Sequence, residues 1–282
     1  MTIQAVVFIH GVGAQKKGYS KKIKKLITDK VDDFISGDAG LIFREVLWAP
    51  VTETHQKDLW KRVNKKGDLD LIKLRKFFIS FGGDFIAYQQ SKVGKPVYDD
   101  VNEKVQIEID SIKKEYPGEK IEFTFVSHSL GTVIITNYLH NNSKPKSPKI
   151  KKIQATNLFT LGSPLALWTL LWGGAANATK PVQVSRPNGA WINILDDEDI
   201  IGYPLKSLNS EYNKAVDKDY VTEIGGLFSM GNPLSHMKYW EDRNVIKPIA
   251  YKLKMDYFRI HNGKPYKRAE YLRYINSDLL PG

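Results

Sequence analysis

The chain reads as an α/β fold: a mostly parallel central sheet with helices on both faces, and one helical insertion. Three observations lead there. Short apolar runs of strand character alternate with longer stretches of helical periodicity, the pattern that builds a parallel sheet covered on both sides. One strand-like run passes into a helix through a tight turn of small residues, Ser127-His128-Ser129-Leu130-Gly131. And 282 residues with 42% hydrophobic content suffice for one sizeable core with an insertion, so a single domain over 1–282 is expected.

In chain order, residues 3–9 give the first strand, with Ala5-Val6-Val7-Phe8-Ile9 as its buried centre. A helix follows in which Ile23, Leu26, Ile27, Val31, Phe34 and Ile35 recur at helical spacing. A second strand occupies about 41–48. Residues 53–95 break the alternation: large apolar side chains such as Leu59, Trp60, Phe77, Phe78, Phe81 and Tyr88 are interrupted by glycines at 67, 82 and 83, which predicts a helical insertion and a candidate cap. The next helix carries Val97, Val101, Val105, Ile109 and Ile112 on one stripe. Strand 121–126, the helix opening at Thr132-Val133-Ile134-Ile135, a basic linker from Lys144 to Lys149, a strand near 153–161 and a short buried strand Ala190–Leu195 complete the reading. A helical pattern follows the turn-rich segment 231–240, and the C-terminal tail reads as polar.

The turn at 127–131 carries the chemistry. A serine on a strand-to-helix elbow is thrust over the carboxyl edge of the sheet, facing the amide dipoles of the new helix. Ser129 is therefore a candidate nucleophile. The usual pattern at such an elbow is Gly-x-Ser-x-Gly, and Ser127 stands where its first glycine would be, a small residue that fits with more backbone strain.

Acyl transfer from a serine also needs donors aimed at the carbonyl oxygen as it becomes an oxyanion. The amide after the nucleophile, Leu130, supplies one. The first strand runs into His10-Gly11-Val12-Gly13, a loop of exposed amides, and the amide of Val12 is the choice for the second. That loop has neither Gly-x-Gly-x-x-Gly spacing nor a Gly-Lys-Ser/Thr ending, which argues against phosphate binding. His10, at a strand end beside glycines, reads as a hydrogen-bonded strut rather than a base.

Through His10-Gly11-Val12-Gly13, Ser127-His128-Ser129-Leu130-Gly131 and Leu161-Gly162-Ser163-Pro164, the chain resembles the α/β-hydrolase superfamily, and more narrowly its lipase-like members. The resemblance implies an acid and then a histidine downstream of the serine, leaving His140, His236 and His261. His140 lies at the far end of the elbow helix, about 15 Å from Ser129 by helical rise, beyond proton-transfer reach. His236 sits in a turn-rich loop, Gly231-Asn232-Pro233-Leu234-Ser235-His236, suited to present a base, and its setting resembles Ser-His-x-x-Tyr-Trp in some lipases. His261, before a turn near the tail, reads as a solvent-exposed loop residue. His236 is the expected base.

The acid is expected after the strand Ala190–Leu195, which ends in Asp196-Asp197-Glu198-Asp199. The continuation Ile200-Ile201-Gly202-Tyr203-Pro204 resembles the lipase pattern of an Asp before two apolar residues and a later Pro, which selects Asp199. Asp196, nearer the strand end, is the alternative, and it could equally brace the loop by accepting backbone amides.

With no cysteines, a disulfide framework, a thiol nucleophile and a thiolate zinc site are excluded. His-Glu-x-x-His and similar ligand spacings are absent from the sequence, so no metal and no cofactor is expected. The N-terminus lacks the plan of a signal peptide, and the longest apolar run, Leu165–Trp172, falls far short of the roughly eighteen residues a membrane span requires. A cytoplasmic protein is expected. The insertion and the Leu165–Trp172 run tilt the substrate toward an apolar acyl or aryl group.

The 42 Lys and Arg against 31 Asp and Glu give a formal charge of +11, which favours anionic partners. Lysines cluster at 16, 17, 21, 22, 24 and 25 and again over 144–152. A solvated helix face explains them most simply; if they do more, peripheral contact with an anionic membrane fits a lipase-like enzyme better than nucleic-acid binding, for which no module is visible. The expectation is a serine hydrolase of a carboxylic, lipid-like ester. Amide, thioester and acyl-transfer chemistry use the same parts. The competing classes are a non-catalytic binding or scaffold protein of the same fold and a basic membrane or nucleic-acid adaptor.

Overall fold

A computed structural model describes residues 1–13, 15–52, 82–84, 86–88, 95–142, 153–172, 174–175, 180–225 and 236–276. Six strands form one sheet: β1 (Thr2–Ile9), β2 (Ile42–Val46), β3 (Lys120–His128), β4 (Ala155–Leu161), β5 (Ala190–Leu195) and β6 (Lys218–Val221). Every pairing is parallel, and the order is β2-β1-β3-β4-β5-β6. The α/β architecture expected from the alternation is the one observed. The four inner strands are buried along most of their length because crossover helices cover both faces, which is why they read as continuous apolar runs.

On one face lie α2 (Lys95–Glu115) and α3 (Leu130–Asn142), with the short α5 (Ser210–Ala215). The α2 stripe Val101, Val105, Ile109 and Ile112 packs there with Val7, Phe125, Leu158 and Trp191 of the sheet. On the other face lie α1 (Lys21–Ile35), α6 (Arg243–Asn262) and α7 (Arg268–Asn276). Ile23, Ile27 and Val31 of α1 meet Val245, Ile249 and Leu253 of α6 over Val6, Phe8 and Phe159. Each fully buried aliphatic side chain contributes about 1.5–3 kcal/mol.

Besides the short α5, two elements differ from the sequence reading. β6 (Lys-Asp-Tyr-Val) is an edge strand with one paired side and intermediate burial, so it lacks the apolar run that marks the inner strands. The polar tail contains α7, anchored by the buried Tyr271 and Ile275.

Of the insertion 53–95, residues 53–81, 85 and 89–94 lie outside the described residues, as does the basic linker, and a cap is not established. Within it, 82–84 and 86–87 are helical, and Lys95 is the first residue of α2. No helix among the described residues is long and apolar enough to cross a membrane. Lys16, Lys17, Lys21, Lys22, Lys24 and Lys25 are exposed, with Lys22 paired to Glu241 and Lys25 to Asp29.

Candidate active site

The strand order locates the site before any side chain is considered. The chain steps from β1 outward to β2, then crosses back over β1 to start β3 and proceeds the other way to β6. In an open parallel sheet the connections at such a reversal leave to opposite faces and open a crevice at the carboxyl ends of the strands. Here those ends are Ile9 and His128, so the crevice is flanked by His10–Gly13 and by the Ser129 elbow.

Ser129 has φ 52°, a left-handed conformation that costs a residue with a Cβ about 1–2 kcal/mol. The turn is held by its amide donating to the Leu161 carbonyl at 2.9 Å and by the Thr132 hydroxyl donating to the Ser129 carbonyl at 2.7 Å. Gly131 cannot carry a side chain: a Cβ there would lie 2.5 Å from the His10 carbonyl oxygen. Nor can Gly11, whose Cβ would meet that of Ser129 at 2.5 Å. Ser127 needs no glycine. It lies within β3, the only positive-φ non-glycine residues among those described are Ser36 and Ser129, and its hydroxyl donates to the Phe159 carbonyl at 3.2 Å. The strain expected at Ser127 is absent because the strain sits wholly at Ser129.

His236 and Asp199 converge on this serine. The Ser129 Oγ and His236 Nε2 are 2.8 Å apart, and His236 Nδ1 lies 2.8 Å and 3.0 Å from the two carboxylate oxygens of Asp199. Both side chains of the His–Asp pair are fully buried. Asp199 also accepts from the Ile201 amide at 2.9 Å and the Tyr239 hydroxyl at 2.8 Å. Burial alone would raise its pKa, but His236 and then these two donors hold it below the usual carboxylate value.

Asp196 does what its alternative reading described. Its carboxylate accepts the amides of Glu198 and Ile224, each at 2.9 Å, while its own amide donates to the Tyr239 hydroxyl. Burial raises its pKa. The other histidines lie elsewhere. His140 is exposed in the last turn of α3, and His261 is exposed but in the last turn of α6 rather than in a loop, beside the Tyr257 ring.

His10 is a strut, as read from its place. Its Nδ1–H donates to the Gly11 carbonyl at 2.6 Å, its Nε2 accepts from the Trp48 and Ala49 amides at 3.2 and 3.3 Å, and its ring stacks on Trp48. Burial lowers its pKa to about 4, so the ring is neutral and accepts at Nε2. The loop it supports is tied further by Gly13, whose amide donates to Asp84. Among the turn and loop hydrogen bonds of the described residues, neither the Val12 nor the Leu130 amide is a donor. Leu130 opens α3, where a helix leaves amides without an internal acceptor.

Four residues stand inside the motifs quoted from the sequence, but their roles went unread. Gly162, φ 51°, lets the His–Asp pair form: a Cβ there would lie 2.8 Å from Asp199 Oδ2 and 3.1 Å from His236 Nδ1. Gly202 crowds the same carboxylate, its Cβ falling 2.8 Å from Oδ2. Tyr239, three residues after His236, bridges Asp199 and Asp196. His128 donates from Nε2 to the His236 carbonyl at 2.7 Å. A glycine directly after a strand, as at Gly162, is the one local signal that marks such close approach.

Ser129 was expected to be exposed at the elbow, but both it and His236 are fully buried. His236 lies directly against the hydroxyl and Gly11 closes the other side. Around the carboxyl edge, Leu165 and Trp168 of α4 (Leu165–Trp168) are buried, whereas Leu170, Leu171, Ile200 and Met237 are exposed. Tyr88 is fully buried between Tyr98 and Trp168. No group of three or more ligating side chains among the described residues could hold a metal.

No protein-family model matches the chain, and a comparison with curated proteins finds no match. Among solved structures it is similar to the crystal structure of an uncharacterized protein from Pseudomonas aeruginosa, with 11% identity and a TM-score of 0.34 over 96% of this chain and 52% of that one. The chain thus spans about half the length of that protein, and the likeness carries no argument about activity.

Proposed function

We propose that the protein is a serine hydrolase that cleaves a carboxylic ester through an acyl-enzyme intermediate. The observation that carries the reading is the unbroken relay from the Ser129 hydroxyl to His236 Nε2 and from His236 Nδ1 to Asp199, each step at 2.8 Å, at the switch point of a parallel sheet. Ser129 Oγ attacks the ester carbonyl while His236 takes its proton. Asp199 keeps the Nδ1–H tautomer and stabilises the imidazolium. The amides of Val12 and Leu130 receive the oxyanion. Collapse expels the alcohol with the proton from His236, and water, deprotonated by the same imidazole, releases the acid.

Exposed Leu170, Leu171, Ile200 and Met237 on the loops around the carboxyl edge support an apolar acyl or alcohol group, since such pockets are lined by apolar side chains. The full burial of Ser129 favours one other reading, a protein that keeps the fold without turnover. A fluorophosphonate probe separates the two: the hydrolase reading requires phosphonylation of Ser129 and its loss in Ser129→Ala, whereas an unlabelled wild type supports the binding protein.

A further inference from the structure

His236 stands before α6, with the three-residue turn Tyr239–Glu241 between them, and the turn-rich segment 231–235 that precedes it lies outside the described residues. Something must fix its main chain for Nε2 to meet the serine. The residue before the serine does this. His128 is the last residue of β3, an inner strand paired on both sides. Its Nε2 is 2.7 Å from the His236 carbonyl oxygen, which makes Nε2 the protonated nitrogen and donor. Its ring lies 4.8 Å from the His236 ring and 5.4 Å from Tyr239, with the Trp240 edge at 5.8 Å. The other nitrogen faces Gly11, where a Cβ would come within 3.1 Å of it.

We propose that His128 is the positioning residue of the base: its single hydrogen bond to the His236 main chain sets where His236 Nε2 stands relative to Ser129 Oγ. This rests on the hydrolase reading for its catalytic consequence, but not for its geometry. Nucleophile and base-holder are consecutive residues, so the attacking oxygen and the base are linked through a single side chain. Burial keeps the ring neutral, with a pKa lowered to about 3, so it puts no positive charge beside the imidazolium that forms on His236.

The test compares His128→Leu, which fills the space without a donor, with His128→Gln, whose amide nitrogen reaches as far as Nε2. Three quantities are read: thermal stability, the rate of fluorophosphonate labelling and of p-nitrophenyl butyrate turnover, and the downfield proton resonance of His236 Nδ1 in its bond to Asp199. In His128→Leu we expect kcat and labelling to fall about 10²-fold with KM nearly unchanged, the size expected of a misplacement near one ångström, and the downfield resonance to broaden. His128→Gln should restore all three. Equal impairment of Leu and Gln variants, or a loss confined to KM or to stability, would overturn the proposal. An unlabelled wild type whose downfield resonance responds to Leu and Gln as described would overturn the hydrolase reading and leave the positioning role standing.

Discussion

Replacing Asp199 by asparagine changes one atom and puts the relay under contradiction. The carboxylate accepts three donors, His236 Nδ1–H, the Ile201 amide and the Tyr239 hydroxyl, and asparagine has only one accepting oxygen. If that oxygen faces Ile201, the amide NH2 faces His236 and can be accommodated only by the other imidazole tautomer, whose Nε2–H then points at Ser129 and cannot take its proton. If the oxygen faces His236, the NH2 opposes the buried Ile201 amide, leaving a donor unsatisfied at about 1–3 kcal/mol. The first arrangement only requires the Tyr239 hydroxyl to turn from donating to accepting, opposes no N–H to another N–H, and is the inactive one. Serine proteases lose about 10⁴ in kcat for the corresponding change, equivalent to roughly 5 kcal/mol of transition-state stabilisation, and a loss of that order is expected here. Asp196→Asn meets no imidazole; it weakens the bonds to Glu198 and Ile224 and should lower stability with little change in kcat. The assay is kcat on a soluble short-chain p-nitrophenyl ester, with thermal melts as control. An Asp199→Asn enzyme within tenfold of wild type, or an Asp196→Asn enzyme that is the more damaged, would refute the reasoning.

Further outcomes follow from the same geometry. Ser129→Ala and Ser129→Gly should both abolish ester hydrolysis, yet the glycine variant should be more stable by about 1 kcal/mol because it relieves the left-handed backbone, as read by chemical denaturation. Gly162→Ala should abolish probe labelling, its Cβ driving Asp199 and His236 apart, whereas Gly263→Ala, also at positive φ but with open space around it, should lose stability and keep labelling. His236→Gln should be inactive and His261→Gln close to wild type in the same ester assay. Acidification should unfold the protein in a defined window. His10 and His128 titrate near 4 and near 3 in the fold, below their unfolded value of about 6.5. The unfolded state therefore binds more protons, and stability is complete above about 6.5 and falls by about 1.4 kcal/mol per pH unit for each histidine down to its folded pKa. Urea titrations from neutral to acid pH should show that slope, and His128→Gln should reduce it.

Much of this was legible in the sequence, for physical reasons that differ by element. β1, β3 and β5 could be read because inner strands of a parallel sheet are buried on both faces and must be apolar throughout; β6, paired on one side only, carries no such constraint and is invisible to it. The α2 stripe was readable from its period, whereas α7 is only nine residues long and buries fully just Tyr271 and Ile275, with Leu272 and Tyr274 half-buried beside them. The elbow was readable because Gly131 admits no Cβ. The pair Asp199 and His236 came from resemblance, since a separation of 37 positions along the chain hides their contact from any local pattern. His128 and Tyr239 escaped for a related reason. Each looks like an ordinary buried ring until His236 is placed beside them.

Four segments far apart in the chain build the site together. β3 delivers His128 and Ser129, the loop after β4 delivers Gly162, the loop after β5 delivers Asp196 and Asp199, and the turn before α6 delivers His236 and Tyr239. Each contact among them joins segments from different strands: Ser129 N to Leu161 O, Gly162 N to Ile194 O, Tyr239 to both aspartates, His128 to His236. A displacement of any one loop is therefore resisted by partners on at least one other, which is what a relay needs when a misplacement of about 1 Å can cost 10²-fold in rate. The strained φ of Ser129 belongs to the same arrangement. A conformation costing about 1–2 kcal/mol persists only where the surroundings over-determine it, and here they do so through bonds from β4 on one side and the pressed contact of Gly131 on β1 on the other.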